Sequence, residues 1–254
     1  MPAAKGIQSH KVFKLGKAPA KTDIRNLKFA AILKAPPKVP AEFDFDLKHT
    51  GIPLPMFRNN VLGCCVISGR AHQTLRFEDL EQGAVITITD AEVEDEYFKE
   101  TGGADNGLVM LDSLKLWRSD GWIAATQLLK IKAFAQIDQK NHAEVKKAIF
   151  IDVGVGLGLL LPKSAETQMQ AGKPWDVVTG PTSKPNSWGG HYVFCPGYTK
   201  LGPVCVTWGQ KQQMTWAFVD KYCDEAYGIF DAINTKKLKA AVDVKKLESF
   251  LSSL

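Results

Sequence analysis

The stretch "DVGVGLGLLLP", residues 152–162, restricts the fold more than any other part of this chain. Val153, Val155, Leu157 and Leu159 alternate with Gly154, Gly156 and Gly158. Extended backbone sends successive side chains to opposite faces, so a strand of this composition has one apolar face and one bare face. A bare face lets another backbone, or a ligand, come closer than a side chain would allow. A phosphate-cradling glycine loop is not expected here, because its spacing differs and a helix has to follow it.

The flanking patterns sort into helices first and strands later. "VLGCCVISGRAHQTLRFEDL" takes helical spacing after Gly63, through Val66, Ile67 and Leu75. "GAVITITD" alternates and predicts a short strand. "DAEVEDEYFKETGG" predicts a helix with an Asp cap, acids in its first turn and glycines at its end. "DNGLVMLDSLKLWRSDGW" predicts a second helix, with Leu108, Leu111, Leu114 and Trp117 near one face and a stop at Gly121. "KIKAFAQID" alternates, and "NHAEVKKAIFIDVG" predicts a helix capped by Asn141. "GGHYVFCPGY" and "GPVCVTWG" read as two strands joined by a turn. Runs of helices followed by runs of strands predict an α+β fold rather than a doubly wound sheet.

The chain of 254 residues is 45% apolar, as in an ordinary globular protein of one large or two small domains. No apolar run approaches the roughly 18 residues of a membrane span. The first residues lack the apolar stretch of a secretory signal, so the expected compartment is the cytoplasm. Cys64, Cys65, Cys195, Cys205 and Cys223 form no C-x-x-C pair, and an odd count argues for free thiols. The net charge of +5 is uneven: the first 40 residues carry +8 and the remainder −3. Three regions are therefore expected. Residues 1–50 form a basic extended arm, with Pro36, Pro37 and Pro40 excluding helix near its end. Residues 51–232 form the body. Residues 233–254 form an amphipathic helical tail, with Leu247, Phe250, Leu251 and Leu254 on one face. The arm reads as a solvated tail, or as a binder of an acidic surface or of nucleic acid.

Cys65 follows a glycine-cysteine pair where a helix should start. Unpaired N–H groups and the macrodipole favour a thiolate there, so its pKa is expected to fall; the competing reading is a small buried hydrophobe. Cys64 cannot point the same way and is expected to pack. His191 opens a strand after two glycines that would leave its ring unobstructed. A thiol and an imidazole from a helix and a distant strand are the general form of nucleophile plus base; the competing reading is a buried, hydrogen-bonded histidine. His72 lies about two helical turns from Cys65, roughly 10 Å along the axis, too far to serve it. No ligand pair has the spacing of a zinc site, so no metal or cofactor is expected.

"NNVLGCCVISGRAH", with "GGHYVFCPGY" and "VTWG" far downstream, resembles the papain-like cysteine peptidase superfamily, and more closely uncharacterised papain-like proteins of bacteriophages and bacteria. The resemblance covers about residues 52–230. It implies a helical half and a twisted antiparallel sheet half with a cleft between them. It also implies Cys65 as nucleophile, His191 as base, and Trp208 as the shielding tryptophan. Asn59, six residues before Cys65, takes the place of a glutamine that helps form the oxyanion hole. The position of the orienting asparagine, two before Trp208, holds Val206, which cannot bond an imidazole; Cys64 replaces an aspartate of the phage-type motif. "NSWG" at residues 186–189 stands before the histidine rather than after it and reads as a decoy.

Two functions follow as expectations. The first is a thiol hydrolase of peptide or isopeptide bonds, acting on a peptide or protein substrate. The second is a catalytically weak or inactive structural protein on the same scaffold, for example a virion component whose arm and tail dock on neighbouring subunits. That second reading would place the chain in a virion rather than the cytoplasm. Nucleic-acid contact through the arm ranks below both, and no membrane partner is expected.

Overall fold

In the computed structural model the described residues are 13–34, 38–231 and 236–252. In chain order the elements are α1 (Phe29–Ile32), β1 (Phe43–Asp44), α2 (Cys65–Gln82), α3 (Asp90–Thr101), α4 (Met110–Ser119), β2 (Trp122–Ala124), β3 (Gln127–Leu129), β4 (Ala133–Gln136) and α5 (His142–Ile151). There follow β5 (Val155–Leu161), α6 (Lys163–Gln170), β6 (Gly189–Tyr198), β7 (Pro203–Thr207), β8 (Gln210–Gln213), α7 (Trp216–Tyr222), β9 (Cys223–Phe230), α8 (Lys236–Ala241) and α9 (Val244–Ser252).

Among the described residues the main sheet is antiparallel, in the order β4-β9-β5-β6-β7-β8, with β1 paired to the end of β6. The glycine-interleaved strand β5 lies at its centre. Its apolar face, Val155, Leu157 and Leu159, enters the larger core with α1, α5 and α7. Tyr192, Phe194, Tyr227 and Ile229 face the other way and pack with α2, α3 and α4. The bare face is used as its composition requires: a Cβ on Gly156 would lie 2.5 Å from the Tyr192 hydroxyl, and one on Gly158 would lie 2.3 Å from Lys17 Cε.

Helix α2 fixes where the two halves meet. A Cβ on Gly69 would fall 2.1 Å from the Tyr192 ring, so that glycine sets how closely α2 approaches β6. The helix is buried along most of its length despite its polar residues, which find partners inside. Arg70 reaches Glu96, Glu100 and Ser113 beneath Trp117, and Arg76 pairs with Asp46.

Several local expectations change. "GAVITITD" forms no strand: Ile88 is buried and Ile86 half-buried against the helical core, so alternation reflects one-sided burial without a ladder. The cap of α3 is Thr89, not Asp90, and it forms a reciprocal capping box with Glu92. Leu108 precedes α4 and is bridged to Lys17. Asn141 caps α5 by accepting from the Glu144 N–H.

The regions expected as arm and tail are both laid on the body where described. Phe29 and Ile32 of α1 are fully buried, and Phe43–Asp44 joins the sheet. Leu238, Ala241, Val242 and Leu247 of the tail belong to the larger core. Of the predicted tail stripe, Leu254 lies outside the described residues. No helix among the described residues is long and apolar enough to cross a membrane.

Candidate active site

Cys65 opens α2, and its Sγ accepts a hydrogen bond from the Tyr192 N–H at 3.4 Å. The thiol therefore sits beside the residue that follows His191. Nδ1 of His191 is buried and has no hydrogen-bond partner, so the thiol and the ring are not bonded to each other. The other ring nitrogen, Nε2, lies 2.7 Å from the Thr207 hydroxyl. Trp208 stacks on the imidazole, with centroids 4.0 Å apart and planes 10° from parallel.

Thr207 is the partner that sequence reasoning missed. The position two before Trp208 is indeed Val206, but it pairs across to Phe194, on the helical side of the sheet. Strand alternation puts Thr207 on the opposite face, the one to which His191 points, and that period was the available signal. Asn186 is exposed and takes no part. The ring of Trp208 is aimed by a two-residue hairpin joining Thr207 to Gln210. Trp208 and Gly209 both adopt positive φ, 45° and 72°, as the tight hairpin turn requires.

The electrostatics differ from expectation. Burial pushes the Cys65 thiol up to about 11. The N–H groups of Tyr192, Gly16 and Val66 and the nearby Lys17 charge pull it down, but not enough. The predicted fall at a helix N-terminus is thus overruled by removal from water. Burial likewise lowers His191 to about 3. Both groups are neutral at pH 7. Cys64 packs as expected, its Sγ against the Phe57 carbonyl and the Ser68 hydroxyl. His72 is buried against Phe57 and depressed to about 3.

The chain's own arm lies against Cys65. Residues 13–18 run between the two halves over Cys65. On the helical side the Lys14 N–H donates to the Asn59 carbonyl at 3.1 Å, the Leu108 N–H to Gly16, and the Ala18 N–H to Leu108. On the sheet side the Lys17 N–H donates to the Gly190 carbonyl at 3.1 Å. The Lys14 carbonyl accepts from Trp208 Nε1 at 3.0 Å and from Asn59 Nδ2 at 3.4 Å. Asn59, the expected oxyanion donor, thus already holds a carbonyl oxygen, and its Nδ2 also donates to Leu62.

Glycine makes this passage possible on both walls. A Cβ on Gly16 would fall 1.6 Å from the Gly63 carbonyl oxygen, and one on Gly190 would fall 2.1 Å from the Lys17 carbonyl. Gly189 faces Leu15 in the same way. The glycines before His191 therefore clear space for a polypeptide more than for the imidazole. Phe13 packs on Trp188 and Trp208.

No protein-family model matches the chain, and no curated protein matches it. Solved structures do. Xylellain, a cysteine protease from Xylella fastidiosa, aligns over 87% of this chain and 97% of its own, with a TM-score of 0.66 at 16% identity. A procathepsin B from Trypanosoma congolense aligns over 85% of this chain and 86% of its own, with a TM-score of 0.61 at 11% identity. The Carica candamarcensis cysteine protease CMS1MS2 aligns over 76% of this chain and 99% of its own, with a TM-score of 0.57 at 13% identity.

Proposed function

The fold is that of the papain-like cysteine proteases, a helical half against an antiparallel sheet half, and on it we propose that this chain is a thiol hydrolase of peptide or isopeptide bonds, held in a closed form by its arm. The observation that carries the reading is the extended polypeptide already bonded along the groove over Cys65 through its backbone. A surface that grips one peptide backbone in this way is suited to grip another.

In the proposed reaction the arm withdraws and a substrate peptide takes its place. With its proton on Nε2 and directed to Thr207, His191 presents a lone pair at Nδ1. It accepts the Cys65 proton, and the thiolate attacks the substrate carbonyl carbon. Asn59 Nδ2 and the Cys65 N–H are the donors assigned to the resulting oxyanion. Collapse expels the amine, which takes the proton from His191, and leaves a thioester. A water molecule, deprotonated by His191, then adds to the thioester. The acid leaves, and the proton returns to sulfur.

The absence of a Cys65–His191 hydrogen bond favours a second reading, a scaffold that binds peptide without cleaving it. The surfaces assigned to docking in the virion reading do not add to it, because the described parts of arm and tail are turned onto the chain's own body. Alkylation of the full-length chain carrying Gly16→Val, which displaces the arm, with a small thiol-directed electrophile at pH 7, mapped by mass spectrometry, tests the choice. A hydrolase predicts modification of Cys65 ahead of the other four cysteines and loss of that preference when His191→Ala is added. Equal labelling with and without His191→Ala in that background would leave the non-cleaving scaffold.

A further inference from the structure

The side chain of Lys17 leaves the arm and enters the sheet. It is fully buried, with Nζ 2.9 Å from Asp224 Oδ2 and 3.0 Å from Glu225 Oε1. Consecutive strand residues normally point to opposite faces. Here β9 carries a bulge: Gly158 pairs with Glu225 and Leu159 with Cys223, leaving Asp224 as the extra residue. The bulge turns two successive acids towards one point. Gly158 supplies the wall, where a Cβ would meet both Lys17 Cε at 2.3 Å and Glu225 Cγ at 2.6 Å. The glycine-interleaved strand, the bulge and the acid pair together make a slot with the bore of an unbranched aliphatic stem and a double-acid floor.

The floor also has acceptor capacity that Lys17 does not use. Asp224 Oδ1 and Glu225 Oε2 are buried without a hydrogen-bond partner, and the Glu225 side chain is only 3% exposed. Acids so placed disfavour an empty or apolar-filled slot, because a buried carboxylate without a cation is costly. Burial, with Asp224 alongside, already holds the Glu225 carboxyl above the usual range despite the Lys17 charge.

We propose that this slot is a specificity pocket for a lysine or arginine side chain of the peptide substrate, and that Lys17 occupies it as the arm's stand-in for that residue. The proposal rests on the reading of the groove as a peptide-binding site. It deepens that reading by assigning the substrate class to Asp224, Glu225 and Gly158. An arginine has the donors to reach the two acceptors that a lysine leaves unused.

The test uses the full-length chain carrying Gly16→Val, whose side chain has no room against the Gly63 carbonyl and displaces the arm. Fluorescein-labelled FKLGKA, and versions with arginine or norleucine in place of the second lysine, are titrated by fluorescence polarisation. The lysine and arginine peptides should bind about tenfold tighter than the norleucine peptide, and adding Glu225→Gln should cut that margin below about threefold. Equal binding of the three peptides, or an unchanged margin in Glu225→Gln, would overturn the pocket. If Gly16→Val does not fold, Lys17→Met vacates the same acids and the same peptides are read on it. Cleavage of the peptides and alkylation of Cys65 are followed in parallel. Basic-selective binding with an inert Cys65 defeats the hydrolase and keeps the pocket; a reactive Cys65 without basic preference does the reverse.

Discussion

Residues 13–18 of the arm and 236–252 of the tail are both fastened to the body, but by different physics. The tail is held by apolar side chains: Leu238, Ala241, Val242 and Leu247 are buried in the larger core, with a backbone bridge from Leu33 to Val242. Residues 13–18 of the arm are held by backbone hydrogen bonds to Asn59, Leu108 and Gly190, by glycine-to-glycine contact, and by the buried ion pairs of Lys17 with Asp224 and Glu225. Apolar burial of the tail completes a core and has no substitute. The arm's bonds are ones that any extended peptide with a basic side chain could offer. One attachment is architecture and the other is occupancy, so they should respond differently to the same measurements.

The largest expected effect falls on the tail. Leu247→Ala should lower the unfolding free energy in urea by about 3 kcal/mol, as for a large-to-small change in a packed core. It should leave the alkylation rate of Cys65 in the folded protein unchanged. Gly16→Val should do the converse. Alkylation of Cys65 should rise by about 30-fold as the arm lifts, the equivalent of roughly 2 kcal/mol of lost occupancy, with a smaller change in unfolding than Leu247→Ala gives. If both variants moved both readouts together, the two attachments would be one cooperative structure and the comparison would collapse.

Acid titration sharpens the contrast further. His191 is held neutral in the folded chain down to about pH 3, whereas an unfolded histidine takes a proton near 6.5. Its folded pKa is depressed, so its contribution is fully present above 6.5 and is lost as the pH falls towards 3. The loss reaches about 1.4 kcal/mol per pH unit. His72 behaves alike. Asp231, raised to about 7 by burial beside Glu81 and Glu78, has the opposite sign and loses its contribution as the pH rises through 7. Of these three groups, only His191 adjoins residues 13–18, through its neighbour Gly190 and the stacked Trp208. Urea unfolding at a series of pH values should therefore show a slope between pH 6 and 4 that is shallower by up to one proton in Gly16→Val. Leu247→Ala should keep the wild-type slope.

The same division explains what could be read from the sequence. Elements built from side-chain periodicity were legible: β5 with its bare face, α2 after Gly63, and the paired strands β6 and β7. "GAVITITD" misled because inward-turned Ile86 and Ile88 give the period of a strand without any partner strand. Cys65, Asn59 and His191 were singled out together by their motifs, and their joint action is part of the proposed reaction. The arm's place was not, because its recognition uses main-chain groups and missing side chains, and a glycine does not announce which backbone will lie against it. Lys17 looked like one of nine basic residues in a solvated tail. The acids that receive it, Asp224 and Glu225, point the same way only because of a bulge that no alternation reveals.

Thr207 offers the smallest effect and the finest test. Its hydroxyl is buried and is the only hydrogen-bond partner of the His191 ring among the described residues, since Nδ1 has none. Removing it leaves Nε2 unpaired beneath Trp208 and frees the tautomer that the proposed base requires. Thr207→Val keeps the shape of the side chain, so the cost should be near that of one hydrogen bond, about 1 kcal/mol. In the wild-type background the arm masks this loss, because Cys65 is covered whatever the imidazole does. In the Gly16→Val background the alkylation rate of Cys65 should fall by about fivefold, and its pH dependence should change. Thr207→Ser should restore both and Thr207→Val neither. A rate that follows side-chain volume, with Ser behaving like Ala, would make Thr207 a packing residue and leave His191 without an orienting group.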